Sequence, residues 1–521
     1  MKEIFSVKSG RRLPGTAGLV ILLGFAIRLY SFVFIPLINP DGTFYIQQAR
    51  ALHYGLWDSL TACFHYLSVY PVLIAASCKI FGDWIVSARI VSLFFGTLSL
   101  IPMYHLLRRF FDETASALNL LIFALLPCLV YVSQDVMRDP VYWFFSLTGL
   151  YFFILGTEGK NNLAIFLGSV SFIMGMWARI EAAMFIFVSI FHLIVTRHEY
   201  GKQRLFFFIL PILILFSLAV CYISVFRSDM INMLEPRILT MPSDVVSGYR
   251  MMRDNLRHLS DQNLEGFSPY FFPVVRNLLW LLALGALSVE IAETLFYVFA
   301  LIMIAGIMTV RHRIREDSRL IYFSMLSVSA LCLLYCQIIY NWVMTDRFAL
   351  LFIFPAFVFI GYGLEKMTAF TQKQLKCSPL ISHAIVCFLI LALLAPKTLR
   401  ANYLKDKLVF REIGEFVSQR EGNEKEILVA GFFKSVRLIH FYANLKYPGA
   451  PCFDADAVLR TDGKGQPLFI RENHPNYFLS DEKNGGRAAA EQILSGMTFF
   501  KIKEWQTPVL GHLTLYKIFK E

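Results

Sequence analysis

The stretch PGTAGLVILLGFAIRLYSFVFIPL (residues 14–37) runs straight into INPDGTFY (residues 38–45). The first part is apolar for long enough to cross a bilayer. It is interrupted by a single charge, Arg28, and Lys2, Lys8, Arg11 and Arg12 stand upstream. It is too long for a cleaved leader and has no small-x-small cleavage site, so it reads as a retained span. The second part, Asn39-Pro40-Asp41-Gly42, is turn chemistry with a carboxylate in it. Such a tetrad only punctuates a helix in many chains. A carboxylate where a helix leaves the membrane is also well placed to meet a lipid-linked substrate.

Composition supports the membrane. Of 521 residues, 56% are hydrophobic, 50 are Phe and only 17% are charged, which excludes an ordinary soluble enzyme. No alternating ten-residue strands recur, so the class is an α-helical polytopic membrane protein rather than a barrel. The net charge of +11 comes from Lys and Arg clustered in short loops. That pattern anchors a protein against anionic membrane lipids; nucleic acid is not an expected partner. Of nine cysteines, six lie in apolar runs, where Cys behaves as a small hydrophobe, and no disulfide framework is expected.

Further apolar runs fall near Trp84–Leu107, Ala115–Val132, Pro140–Leu155, Leu163–Trp177, Ala182–Val195 and Leu205–Phe226. Others are Ile291–Val310, Leu320–Tyr340, Phe348–Gly363 and Leu380–Ala395. Phe44–Tyr54 places Tyr45, Ala49, Leu52 and Leu56 on one face, as a helix lying on the membrane surface would. Tyr66–Phe81 is short, contains Pro71 and reads as a second interfacial helix. Arg108, Arg109, Lys160, Arg197, Lys202, Arg204, the arginines of 311–319 and Lys366 then all share the side of the N-terminal basic cluster. This is a positive-inside arrangement over about eleven transmembrane helices, with the N-terminus cytoplasmic.

An odd number of spans puts the C-terminus outside. Residues 1–396 form the membrane domain, and 397–521 change to the composition of a small soluble α/β extracytoplasmic domain. Helices are predicted at Asp406–Arg420, Val436–Ala443 and Arg487–Leu494. Strands are predicted at Ile427–Ala430, Phe499–Ile502 and Leu513–Phe519. Gly463 and Gly465 are too little for a phosphate loop.

The charges near the outer mouth carry the chemistry. Asp41 in the first outer loop is accompanied by His53, Asp58 and His65. The second outer loop reads Ser133-Gln134-Asp135-Val136-Met137-Arg138-Asp139-Pro140. If helical, it puts Asp135 and Asp139 on one face beside Arg138. One carboxylate from each loop suits acid/base work or a shared divalent cation, whereas Asp139-Pro140 also suits a plain helix start. Arg28 and Arg89 lie inside spans, where pairing or snorkelling is the ordinary state. Arg179 and Glu181 stand in a very short hairpin, where they pair with each other or the guanidinium takes a phosphate. Arg227, Arg237, Arg250, Arg253, Arg257 and His258 make the fourth outer loop basic, which fits a solvated face or a lipid phosphate. Asp346-Arg347-Phe348 opens the penultimate span.

Together these positions resemble the family C glycosyltransferase (GT-C) superfamily. Within it they are nearest the protein O-mannosyltransferases and the lipid A aminoarabinose transferases. The resemblance is carried by Arg28-Leu29-Tyr30, Asp41-Gly42-Thr43-Phe44-Tyr45 with Ala49, Tyr70-Pro71-Val72-Leu73, Phe81-Gly82, Ala88-Arg89 and Arg108-Arg109. Asp139, Arg179-Ile180-Glu181 and Asp346-Arg347-Phe348 through Pro355 also fit. Where many relatives have an acidic pair in the first motif, this chain has Asp41-Gly42.

The resemblance implies a GT-C-like membrane enzyme that uses a polyprenyl-phosphate-linked sugar. It would transfer a hexose or pentose outside the cytoplasm to a lipid, glycan or protein acceptor, in the inner (plasma) membrane of a bacterium. Asp41 and Asp139 are then the expected catalytic carboxylates, with a divalent metal cation between them as an option and no other cofactor. Arg179, Arg347 and Arg257 are expected at the donor phosphate, and Arg28, Tyr45, Arg89, Arg138 and Glu181 in support. The alternatives are a transporter or flippase for the lipid-linked sugar, or a polysaccharide polymerase or ligase. No inverted repeat or ATP motif supports transport.

Overall fold

The computed structural model describes residues 15–34, 37–60, 66–159, 161–196, 201–226, 237–262, 266–400, 408–431, 436–452, 475–482, 486–495, 497–507 and 511–519. Lys2, Lys8, Arg11, Arg12, His65, Lys160, Arg197, Arg227, Gly463, Gly465 and the Arg237 side chain lie outside this description. So does the predicted helix start at Asp406.

α1 (Gly15–Phe34) is the first apolar run. α2 (Pro40–Tyr54) begins as its sequence dictates. The Asn39 side chain accepts the Asp41 N–H at 2.9 Å, Pro40 fills the first turn where no N–H is needed, and Gly55 closes the helix at φ 70°. α3 (Val69–Phe81), α4 (Trp84–Leu98), α5 (Leu100–Leu107), α6 (Glu113–Leu125) and α7 (Pro127–Gln134) follow, with Pro127 at the α6–α7 bend of 56°. Then come α8 (Asp139–Glu158), α9 (Asn162–Ala178), α10 (Ala183–Val195), α11 (Gly201–Phe226), α12 (Arg237–Asp261), α13 (Phe271–Asn277) and α14 (Leu279–Thr294). α15 (Val298–Val310), α16 (Ser318–Asn341), α17 (Asp346–Leu375) and α18 (Pro379–Thr398) complete the apolar series.

Among the described residues, seven helices are long and apolar enough to cross a membrane, or nine if each bent pair is one span. The count of about eleven from sequence includes α9, α10 and α15, which fall short of the roughly 20 residues a span needs. One predicted run is redrawn. Ile291–Val310 is not continuous, because the backbone turns at Phe296 and Tyr297 (φ 59° and 50°) between α14 and α15. The loop expected over residues 227–273 contains the long helix α12.

The chain divides into two compact units. The first comprises Met1–Ser31, Ser92–Gln134 and Arg138–Leu399. Its core is α17, buried continuously from Ala349 to Gly361. α15 lies against α17 so closely that a Cβ on Gly306 would collide with the Phe359 carbonyl, and one on Gly363 with the Ile302 carbonyl. In a bilayer this close packing, not hydrophobic burial, holds helices together.

The second unit comprises Phe32–Val91, Asp135–Met137 and Arg400–Glu521. It holds α2, α3 and a four-stranded sheet, β1 (Val429–Gly431), β2 (Tyr477–Asp481), β3 (Thr498–Thr507) and β4 (Gly511–Phe519), in the order β1-β2-β4-β3. β1 and β2 are parallel, and the other pairs antiparallel. The fully buried β2 is the strand that the sequence did not predict. α19 (Leu408–Glu421), α20 (Val436–Ala443) and α21 (Gly486–Ile493) match the predicted helices of the tail within a few residues. α2 is no free surface helix. Gly42 to Ala51 is buried on nearly every side, partly against α20. Contrary to the expectation of no disulfide, Cys452 is disulfide-bonded.

Candidate active site

In the second unit the site is built on the first turn of α2. Asp41 sits there with its side chain 35% exposed, and Oδ1 lies 3.8 Å from Arg437 Nη2 of α20. The Arg437 guanidinium stacks 4.2 Å over the ring of Phe44, one turn further along α2. A carboxylate, a cation and an aromatic face thus converge at one helix end.

The segment 135–137 supports that end. Asp135 Oδ1 accepts the Asn39 N–H at 2.9 Å and the Val136 N–H at 2.7 Å, so the predicted helical pairing of Asp135 with Asp139 does not form. Burial pushes the Asp135 carboxyl above its ordinary value, which the two backbone N–H groups and the charge of Arg89 only partly offset. Gly42 lets this segment approach: a Cβ there would meet Val136 Cβ at 2.7 Å and the Val136 carbonyl at 3.0 Å. The second carboxylate that many relatives carry at this position has no room here. Arg89 donates to the Phe32 carbonyl at 2.7 Å and lies over the Phe32 ring. Tyr45 packs edge-on against Tyr70, whose hydroxyl donates to the Ala88 carbonyl. Both brace the α2 region.

The first unit gathers a separate cluster. Asp139 is the first residue of α8, with Arg138 at the cap position and Pro140 next. Its carboxylate is not spent as a cap: Arg179 Nη1 donates to Asp139 Oδ1 in a buried ion pair. Arg179 also donates to Glu181 from Nη2 at 2.6 Å and from Nε at 3.3 Å. Of the two readings the sequence left open for Arg179 and Glu181, the pairing with each other is made, and Asp139 joins it. The charge of Arg138 also acts on Glu181. Phe348, on the first turn of α17, is flanked by two guanidinium groups, Arg179 at 5.0 Å and Arg347 at 5.4 Å. Arg257 lies on α12, where it and Arg276 line a cavity of about 440 Å³ with Asp261 and Phe272. Arg28 is fully buried and donates to Ser133 Oγ at 3.2 Å, Gly24 O at 3.0 Å and Ala124 O at 2.9 Å. It ties α1 to α6 and α7.

A metal does not fit the two carboxylates offered to it. Asp139 already holds the Arg179 guanidinium, and Asp41 faces Arg437. Among the described residues no group of three His, Cys, Asp or Glu side chains is placed to hold an ion. The sequence also missed Arg437. Nothing in spacing links a tail arginine to the first loop; an Arg on the apolar helix Val436–Ala443 was the only available signal.

Residues 68–222 match the model of the dolichyl-phosphate-mannose-protein mannosyltransferase family. No curated protein sequence matches the chain. Among solved structures, ArnT from Cupriavidus metallidurans bound to undecaprenyl phosphate matches with a TM-score of 0.56 at 12% identity, over 97% of this chain and 98% of that chain. The archaeal oligosaccharyltransferase AglB from Archaeoglobus fulgidus, in complex with an inhibitory peptide and a dolichol-phosphate, also gives 0.56 at 12% identity. That match covers 96% of this chain and 74% of the other. At such identities the likeness is one of fold. The GT-C resemblance and the helical membrane architecture with a small C-terminal sheet are borne out.

Proposed function

We propose that this GT-C chain is a membrane glycosyltransferase that moves a sugar from a polyprenyl-phosphate donor to a lipid, glycan or protein acceptor on the extracytoplasmic side. The observation that carries the proposal is Asp41: a part-exposed carboxylate on the first turn of a buried helix, facing a ring-stacked arginine. The carriers in the solved relatives, undecaprenyl phosphate and dolichol-phosphate, are the donor class proposed for this chain. The membrane is the inner membrane of a bacterium.

The acceptor oxygen attacks the anomeric carbon from the side opposite the phosphate. As that bond forms, its proton passes to the Asp41 carboxylate, and the bond between the anomeric carbon and the phosphate oxygen breaks. The polyprenyl phosphate leaves with the electron pair, and the anomeric configuration inverts. Arg347 and Arg257 offset the charge growing on the phosphate, an interaction strengthened where water is scarce. Arg179, already engaged by two carboxylates, serves chiefly to hold Asp139, which orients the acceptor.

The test is incubation of the purified chain with radiolabelled undecaprenyl-phosphate hexoses and a membrane extract as acceptor. Labelled product with stoichiometric release of undecaprenyl phosphate is expected. Movement of intact donor across a vesicle bilayer without release would overturn the proposal.

A further inference from the structure

We propose that Arg50, on α2, is a positioning residue for the candidate site. It holds the far end of α20, so that Arg437 at the near end stays beside Asp41. The proposal rests on the reading of Asp41 as the base.

Arg50 is fully buried and donates from Nη2 to the Asn444 carbonyl at 3.1 Å and to the Tyr447 carbonyl. Asn444 directly follows α20, and Tyr447 lies in the turn beyond it. The last carbonyls of a helix have no partner within it, and a cation there meets the negative end of the helix dipole. Burial pushes the Arg50 guanidinium down to about 10, so it keeps its charge at neutral pH. Its Nε and Nη1 are buried with no hydrogen-bond partner among the described residues. Such a cation is costly to bury, and an apolar side chain of the same length would fill the space without that cost. What the arginine adds is its hold on two carbonyls of a distant segment.

That hold falls at the right distance to place Arg437. Phe44 and Arg50 are six residues apart, about 9 Å along α2 at the helical rise of about 1.5 Å per residue. Arg437 and Asn444 are seven apart, about 10 Å along α20. Phe44 meets Arg437 and Arg50 meets Asn444, so the two helices run in the same direction with two attachment points at matching spacing. One attachment alone lets a helix slide or turn; two fix its register. A slip of one residue would swing Arg437 by about 100° around α20 and away from Asp41. The gripped point is itself secured to the sheet. The Asn444 side chain accepts the Ile427 N–H at 2.8 Å and donates to the Ile427 carbonyl at 2.7 Å, two residues before β1.

The first test locates Arg437 without using turnover. The full-length protein is treated with phenylglyoxal, which modifies exposed guanidinium groups, and each arginine is quantified by peptide mass spectrometry. In the wild type the Arg437 side chain is 13% exposed and should react slowly, beside Arg411 at 40% as an internal standard. Arg50→Met should raise Arg437 modification toward that of Arg411, roughly threefold on those exposures, with Arg411 unchanged. Gln48→Met is the control. Gln48 is buried on the same helix and donates to two carbonyls, those of Leu60 and Tyr66, each at 3.0 Å and neither in α20. Its loss should leave Arg437 as protected as in the wild type. If Arg437 stays protected in Arg50→Met, or Gln48→Met exposes it equally, the proposal fails. Should Arg50→Met not accumulate, Arg50→Lys decides in the same way, because an ammonium keeps the charge but not the planar fork.

Turnover supplies the second test. Arg50→Met should lower kcat about tenfold with little change in KM, the loss expected of Arg437→Gln. Combined with Arg437→Gln, it should make the enzyme no slower than Arg437→Gln alone. Additive losses would show that Arg50 does not act through Arg437 and would overturn the proposal. A wild-type protein that transfers no sugar would sink the transferase reading, while the labelling still decides whether Arg50 places Arg437.

Discussion

Arg437 stands 3.8 Å from Asp41, with its guanidinium over the ring of Phe44. The ring supports the cation from one face, while the carboxylate keeps about a third of its surface open. A base needs that opening to receive a proton, and it needs a fixed direction. α2 supplies the direction through the Asn39 cap.

Asp41→Asn should leave the protein folded and reduce transfer by roughly 10²–10⁴, the usual worth of a general base. The check is release of undecaprenyl phosphate from a labelled donor, beside a thermal melt of the same preparation. Turnover at the wild-type rate would remove Asp41 from the proposed role.

Arg437→Gln should lower kcat about tenfold, equivalent to about 1.4 kcal/mol, with a smaller change in KM. Arg437→Lys should recover only part, because an ammonium keeps the charge but loses the planar stacking on Phe44. Equal activity of all three proteins would show that the tail contributes nothing to the chemistry.

Arg179→Met leaves two carboxylates, Asp139 and Glu181, without their buried cation. A loss of roughly 3–5 kcal/mol in stability is expected, since breaking a buried pair exposes the full desolvation cost of the partner. Adding Asp139→Asn and Glu181→Gln to the same chain should restore much of the melting temperature while activity stays low. No drop in the single variant would contradict the buried network.

Gly42→Asp should fail to accumulate or should melt well below wild type. The new Cβ must displace Val136 at 2.7 Å, and overpacking of this kind costs about 1–3 kcal/mol. Val136→Gly in the same chain should relieve part of the loss, because the Val136 carbonyl at 3.0 Å is still in the way.

Acid should loosen the second unit. Burial holds the His440 imidazole down at about 4 from its ordinary 6.5. A group depressed in the folded state adds stability that is present above the unfolded value. That stability is lost as pH falls from about 6.5 through 4, on the order of 3 kcal/mol. Hydrogen exchange of α20 measured across this window should rise in the wild type and change much less in His440→Gln.

Much of the local structure was legible. The apolar length of α1, the Asn39-Pro40 start of α2 and its Gly55 stop depend on residues within a turn of one another, so composition and capping rules suffice. The tail helices were legible for the same reason. The Asp135–Asp139 pairing was not. Asp135 is captured by backbone N–H groups, one of them from Asn39 in a distant loop, and Asp139 by Arg179.

By itself the sequence determined that this is a polytopic helical protein that resembles the GT-C glycosyltransferases and that Asp41 opens a helix beyond the first span. Tertiary structure alone decided the partners. Arg437 was brought to Asp41, Arg179 was committed to Asp139 and Glu181, Gly42 was required beside Val136, and α2 was buried from Gly42 to Ala51 on nearly every side. The reason is physical. Apolar length and capping are properties of neighbouring residues, whereas the partner of a charged side chain is whatever packing brings within a few ångströms, however far along the chain it lies.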